Sequence, residues 1–140
     1  MKTVDCVLPE RCLPQGKTCP EVLIVDDDPE IPFMLKRILE RKGILCDTAQ
    51  SEEVALSKIE TTPSIKLVLL DIIMPEIGGL DLLKMIRKIT PSVHVIMITG
   101  GSDVHIAKKC LDLGAKDYIR KPFDIEYLET SVYSGILPLL

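Results

Sequence analysis

Residues 67–83 read LVLLDIIMPEIGGLDLL. Leu67 to Leu70 run without a polar interruption into Asp71. An unbroken apolar run of that length suits a strand buried on both faces, because a half-exposed strand would alternate. After Met74, Pro75, Gly78 and Gly79, which read as a loop, Leu80–Lys88 resumes apolar residues at helical spacing. Gly79 is the residue expected to take a positive φ angle or a close backbone approach. The stretch is therefore strand, loop, helix, with an aspartate where the strand stops.

The same unit recurs on either side. Upstream, Val22–Val25 is a compact apolar run that stops at Asp26-Asp27-Asp28. Ile31, Met34, Leu35, Ile38 and Leu39 then repeat at helical spacing, and Gly43 supplies a stop. Ile44–Ala49 reads as a weaker strand, and Ser51 as the N-cap of a helix with Glu52 and Glu53 in its first turn. Downstream, Val93–Ile98 is a strand ending at Thr99. Ser102 or Asp103 caps a helix that runs to Leu113 and closes at Gly114. Ala115–Ile119 is the last strand, with Lys121 two residues beyond it, and a helix follows Asp124. Asp28 and Asp124 read as helix caps. Strict βα alternation with continuous apolar strands predicts an α/β, doubly wound (βα)5 fold around a five-stranded parallel sheet, with right-handed crossovers.

The 140 residues suffice for one core. Residues 1–20, with Pro9, Pro14, Gly16 and Pro20 and no periodicity, read as an extension, 21–136 as the domain and 137–140 as a tail. Five cysteines (Cys6, Cys12, Cys19, Cys46, Cys110) form no CxxC pair and no zinc spacing, which favours free thiols in a reducing cytoplasm. No apolar stretch approaches the ~20 residues of a membrane span. A formal charge of −4 with no basic stripe speaks against direct nucleic-acid contact. No GxGxxG follows the first strand, so dinucleotide binding is not expected.

In such a sheet, ligands bind at the carboxyl ends of the strands. Asp26 and Asp27, Asp71, Thr99 and Lys121 all fall at that end of four different strands. Two carboxylates ~4 Å apart repel by about 4 kcal/mol at an effective dielectric near 20, so they require protons or a hard cation. An all-oxygen donor set with few protein ligands suits Mg2+, and a lysine adds the charge that phosphoryl oxygens need. Nucleophile, metal and cation together are the requirements of phosphoryl transfer, and an aspartate can accept the group as an acyl phosphate.

Four segments, VLIVDDDPEI (22–31), LVLLDIIMPEIGGLDLL (67–83), VIMITGGSD (95–103) and GAKDYIRKPFDIEYL (114–128), closely resemble the receiver domains of two-component response regulators. The resemblance implies the flavodoxin-like strand order 2-1-3-4-5. It also implies that Asp26, Asp27, Asp71 and the backbone carbonyl of Ile73 hold Mg2+, with Asp71 the phosphoacceptor. Lys121 would contact the phosphoryl group, its bond to Pro122 being typically cis. Thr99 would shift toward a phosphoryl oxygen and Tyr118 rotate into the space vacated.

The implied partners are a histidine kinase or histidine phosphotransfer protein and a downstream output domain or protein. A homodimer through the face of the fourth helix, fifth strand and fifth helix is the associated assembly. The domain would not be an enzyme in the usual sense, catalysing only its own phosphorylation and autodephosphorylation. Gly78 and Gly100 depart from the usual residues of the pattern. Ile73 and Gly101, at positions that tune autodephosphorylation, offer no side chain to position a water, which implies a long-lived phosphoryl group. A pseudo-receiver acting as a constitutive interaction module is the alternative, opposed by the full set Asp27, Asp71, Thr99 and Lys121. A phosphohydrolase of the haloacid dehalogenase type is rejected because it wants a second aspartate where Ile73 stands. His94 and His105 have no companion ligands and read as structural.

Overall fold

Val22–Val25 forms strand β1, with all four residues buried. In the computed structural model, which describes residues 19–71, 78–99, 104–121 and 124–136, it is followed by nine further elements. These are α1 (Glu30–Arg41), β2 (Cys46–Ala49), α2 (Glu52–Thr61), β3 (Leu67–Asp71), α3 (Gly79–Ile89), β4 (His94–Thr99), α4 (Val104–Asp112), β5 (Asp117–Arg120) and α5 (Ile125–Ile136). The strands pair in parallel in the order β2-β1-β3-β4-β5, the flavodoxin-like arrangement expected.

Side-chain alternation along the central strands divides the interior into two layers. Val22, Ile24, Leu67, Leu69, Ile96 and Ile98 join Leu35 and Leu39 of α1 and Leu128, Val132 and Ile136 of α5. Their neighbours Leu23, Val25, Val68, Leu70, Val95 and Met97 join Ala55 and Ile59 of α2, Leu82, Leu83 and Ile86 of α3, and Cys110 of α4. A strand with a helix layer on each face has no polar positions to spare, which is why β1 and β3 read as unbroken apolar runs.

Local chemistry sets the element ends. The Ser51 hydroxyl accepts from the Val54 amide at 3.2 Å, the N-cap expected for α2. Asp28 Oδ1 accepts from the Glu30 amide at 3.0 Å and Asp124 Oδ1 from the Glu126 amide at 2.9 Å; the N-cap position of α1 is Pro29, one residue after Asp28. Gly43 and Gly114 take φ of 85° and 107° after α1 and α4, a region costly for residues with a Cβ.

Three expectations shift. The positive φ lies at Gly78 (91°), the residue before α3, while Gly79 is buried at the first helical position. β2 begins at Cys46, because the Ile44 amide is still engaged by the Leu39 carbonyl at the end of α1. β5 begins at Asp117, because the Ala115 amide is still engaged by the Cys110 carbonyl at the end of α4. The strand then runs to Arg120, and Lys121 follows it directly.

The outer edge of β2 is closed by side chains. Lys36 donates to the Cys46 carbonyl at 2.9 Å, the Cys46 amide donates to Glu40 at 3.3 Å, and Lys58 donates to the Thr48 carbonyl at 2.7 Å. An edge so occupied cannot template another strand.

Cys19, Cys46 and Cys110 are unbridged, and the last two are buried. Burial, reinforced by the Glu40 carboxylate, pushes the Cys46 thiol far above its ordinary range, and burial also raises that of Cys110. Thiolate is the reactive species. Cys46 and Cys110 should therefore resist iodoacetamide in the native protein and label fully in denaturant. Peptide mass spectrometry reads this, and native labelling of either would contradict the packing described.

Candidate functional site

The register of the sheet assembles the site. Val25 pairs with Leu70, so Asp26 and Asp71, each the next residue on its strand, stand side by side at the carboxyl edge. Asp71 pairs with Ile98, which puts Thr99 one step further out on the neighbouring strand. Thr99 pairs with Arg120, which brings Lys121 to the same edge, and the Lys121 amide donates to the Thr99 carbonyl at 2.6 Å. Strand spacing of about 4.8 Å sets the separation of these backbones.

Carboxylate oxygens of Asp26, Asp27 and Asp71 all lie within 4.8 Å of one another. Asp26 is buried, and its Oδ1 accepts from the Asp28 amide at 2.9 Å. This aims its other oxygen toward Lys121, whose Nζ lies 3.4 Å from Asp26 Oδ2 and 3.9 Å from Asp71 Oδ2. The side chains of Asp26, Asp71 and Lys121 are 4%, 10% and 27% exposed, so these pairs are largely withdrawn from water. Asp27 faces solvent at the mouth.

The charges do not balance. Among the described residues three carboxylates meet one ammonium, an excess of two negative charges within a few ångströms. Such a cluster favours a hard cation, and oxygen-only donors of this number are those of Mg2+. Lys121, expected to meet a transferred group, bonds to the carboxylates here. The ammonium is thus already positioned between Asp26 and Asp71.

Thr99 is 4% exposed. Tyr118 is half-buried, packed on the layer shared with α2, α3 and α4. Ile73, Met74, Pro75, Gly100, Gly101, Ser102, Asp103 and Pro122 lie outside the described residues. So do residues 1–18 and 137–140. His94 opens β4 and His105 lies on α4, and neither joins the acidic cluster. Burial and the nearby Lys116 and Arg87 charges lower the His94 pKa. Sequence reasoning missed Asp117, whose carboxylate joins β5 to α5 through Tyr127 and Ser131. Only its place next to Tyr118 could have drawn attention to it.

Among the described residues no helix is long and apolar enough to cross a membrane. A family model, the response regulator receiver domain, matches residues 22–133. The chain is 38% identical over 105 residues to the DNA-binding transcriptional regulator NtrC of Proteus hauseri, covering 75% of this chain and 22% of that protein. It is 42% identical over 105 residues to the CpxR homologue of Haemophilus influenzae, covering 74% of this chain and 44% of that protein. The chain thus spans between about a fifth and a half of the curated relatives it matches. Among solved structures it is similar to a receiver domain protein from Clostridium thermocellum, with TM-score 0.80 and 34% identity over 86% of this chain and 96% of that one. The receiver domain of NtrX from Brucella abortus matches with TM-score 0.78 and 32% identity, covering 83% and 98%. With an acidic cluster and a lysine at the mouth of a 2-1-3-4-5 sheet, and with these matches, the chain belongs to the response regulator receiver domain family.

Proposed function

We propose that Asp71 accepts a phosphoryl group from a histidine kinase or histidine phosphotransfer protein in a Mg2+-dependent reaction, and that its phosphorylation changes what the domain binds. The observation that carries this is the meeting of Asp26, Asp27 and Asp71 oxygens within 4.8 Å, with Lys121 Nζ 3.4 and 3.9 Å from two of them.

In the step proposed, one Asp71 carboxylate oxygen attacks the phosphorus of a phosphohistidine. The P–N bond breaks, its electron pair stays on the imidazole nitrogen, and an acyl phosphate forms. Asp26, Asp27 and Asp71, with the Ile73 carbonyl, would hold Mg2+. When bound, the ion supplies the positive charge that the carboxylates and phosphoryl oxygens share. Lys121 keeps an ammonium beside the acceptor, so charge developing on the phosphoryl group meets a donor already in place.

Thr99 then donates its hydroxyl to a phosphoryl oxygen, and Tyr118 turns inward behind it. Phosphorylation need favour the rearranged state by only a few kcal/mol to change partner affinity. The domain turns over no other substrate, catalysing only its own phosphorylation and autodephosphorylation. A downstream output domain or protein reads the change in the cytoplasm, and the α4–β5–α5 face is the surface proposed for a homodimer. A net charge of −4 with no basic stripe speaks against direct nucleic-acid contact by this domain.

Beryllofluoride, which takes the place of a phosphoryl group on a carboxylate, tests the reading directly. A similar receiver domain, that of DrrB, is described as BeF3-activated. Fluorine NMR should show bound beryllofluoride only when Mg2+ is present. No bound signal, or one indifferent to Mg2+, would defeat the proposal.

A further inference from the structure

Asp117 and Tyr118 are neighbours on β5 and face opposite layers. Tyr118 packs on the α2–α4 side, whereas Asp117 turns to α5. The Asp117 carboxylate is a shared acceptor. Its Oδ1 takes the Tyr118 amide at 2.7 Å, and its Oδ2 takes the Tyr127 hydroxyl at 2.8 Å and the Ser131 hydroxyl at 2.6 Å. Tyr127 and Ser131 are four residues apart and lie on one face of α5. Ser131 is buried and Tyr127 is half exposed.

We infer that Asp117 is a positioning residue that couples the β5 backbone at Tyr118 to α5, so that a backbone shift accompanying the Tyr118 rotation is passed to the first two turns of that helix. The inference rests on the receiver reading above and names the route by which its switch would reach the surface. A carboxylate is planar and rigid, so a shift of the Tyr118 amide that drags Oδ1 also displaces Oδ2 and its two donors. Apolar contacts between α5 and the sheet, through Leu128, Val132 and Ile136, can slide with little directional penalty. Hydrogen bonds to a charged acceptor are directional and about twice as strong as neutral ones. The bond to Asp117, with burial and the carboxylate charge behind it, raises the Tyr127 pKa, which gives the contact a spectroscopic signature.

The experiment is hydrogen exchange of peptides from 125–136 with and without Mg2+ and beryllofluoride, on the full chain. In the wild type, protection of α5 should change on beryllofluoride binding. Asp117→Asn keeps the Oδ1 acceptor but replaces Oδ2 with a donor group, so the α5 response should vanish. Beryllofluoride affinity should change by no more than about fivefold, the low end of an allosteric coupling.

The double variant Tyr127→Phe, Ser131→Ala retains Asp117 and should lose the response equally. This guards against misfolding of the first, with unchanged exchange in β1 and β3 as the control. The alkaline absorbance titration of Tyr127 should move down toward the ordinary tyrosine range in Asp117→Asn. Persistence of the α5 response in both variants, or a silent α5 in a wild type that binds beryllofluoride, would overturn the coupling while sparing the receiver reading. Absence of Mg2+-dependent binding would bring down both.

Discussion

Asp71→Asn should reduce phosphoryl incorporation from acetyl phosphate to background, a loss of at least about a hundredfold, since the amide lacks the nucleophilic oxygen pair of a carboxylate. Intact-protein mass spectrometry with Mg2+ present reads this, and uptake at the wild-type rate would end the assignment of Asp71. The same substitution should stabilise the metal-free protein. Among the described residues Asp71 stands within 4.8 Å of two carboxylates and 3.9 Å from one ammonium, so between these charges repulsion exceeds attraction. At an effective dielectric near 20 each such contact is worth about 4 kcal/mol at most. Asp27 is solvated, which weakens its share. A net gain of about 1–2 kcal/mol is expected from urea unfolding in EDTA. The gain should shrink as Mg2+ is added, because the ion favours the wild-type cluster over the variant. A variant that loses function while gaining stability separates a chemical role for Asp71 from a structural one.

Leu69→Ala should do the reverse. Leu69 is completely buried on β3, two residues before Asp71, in the layer under α1 and α5. Truncating such a leucine removes its burial and leaves a cavity that the sheet cannot close, at a cost of about 3–4 kcal/mol. For a domain of this size that lowers Tm by roughly 10–20 °C, measurable by calorimetry. Below the transition, phosphoryl uptake per folded molecule should stay within about twofold, since no site residue is touched. A wild-type Tm would contradict the two-layer packing, and lost uptake in the still-folded protein would show that the site depends on more than the strand ends.

Much of this was legible in the chain. Unbroken runs such as Val22–Val25 and Leu67–Leu70, short and each stopped by an aspartate, read as strands covered on both sides, because a half-exposed strand would alternate. Ser51, Gly43 and Gly114 mark helix ends through chemistry confined to a few neighbouring residues. The aspartates, Thr99 and Lys121 could be named because each ends an apolar run or lies within two residues of one, which puts all of them on one edge of a parallel sheet.

Other features depended on which strands become neighbours. The pairing of Val25 with Leu70, not composition, sets Asp26 beside Asp71, and the pairing of Thr99 with Arg120 delivers Lys121 to both. The positive φ fell at Gly78, not Gly79, because the start of α3 decides which glycine must turn. Asp117 was invisible in the sequence, since its donors Tyr127 and Ser131 lie 10 and 14 residues away on another element. Periodicity and caps are local and survive in any context. The distance between two charges on different strands exists only once the sheet has chosen its register.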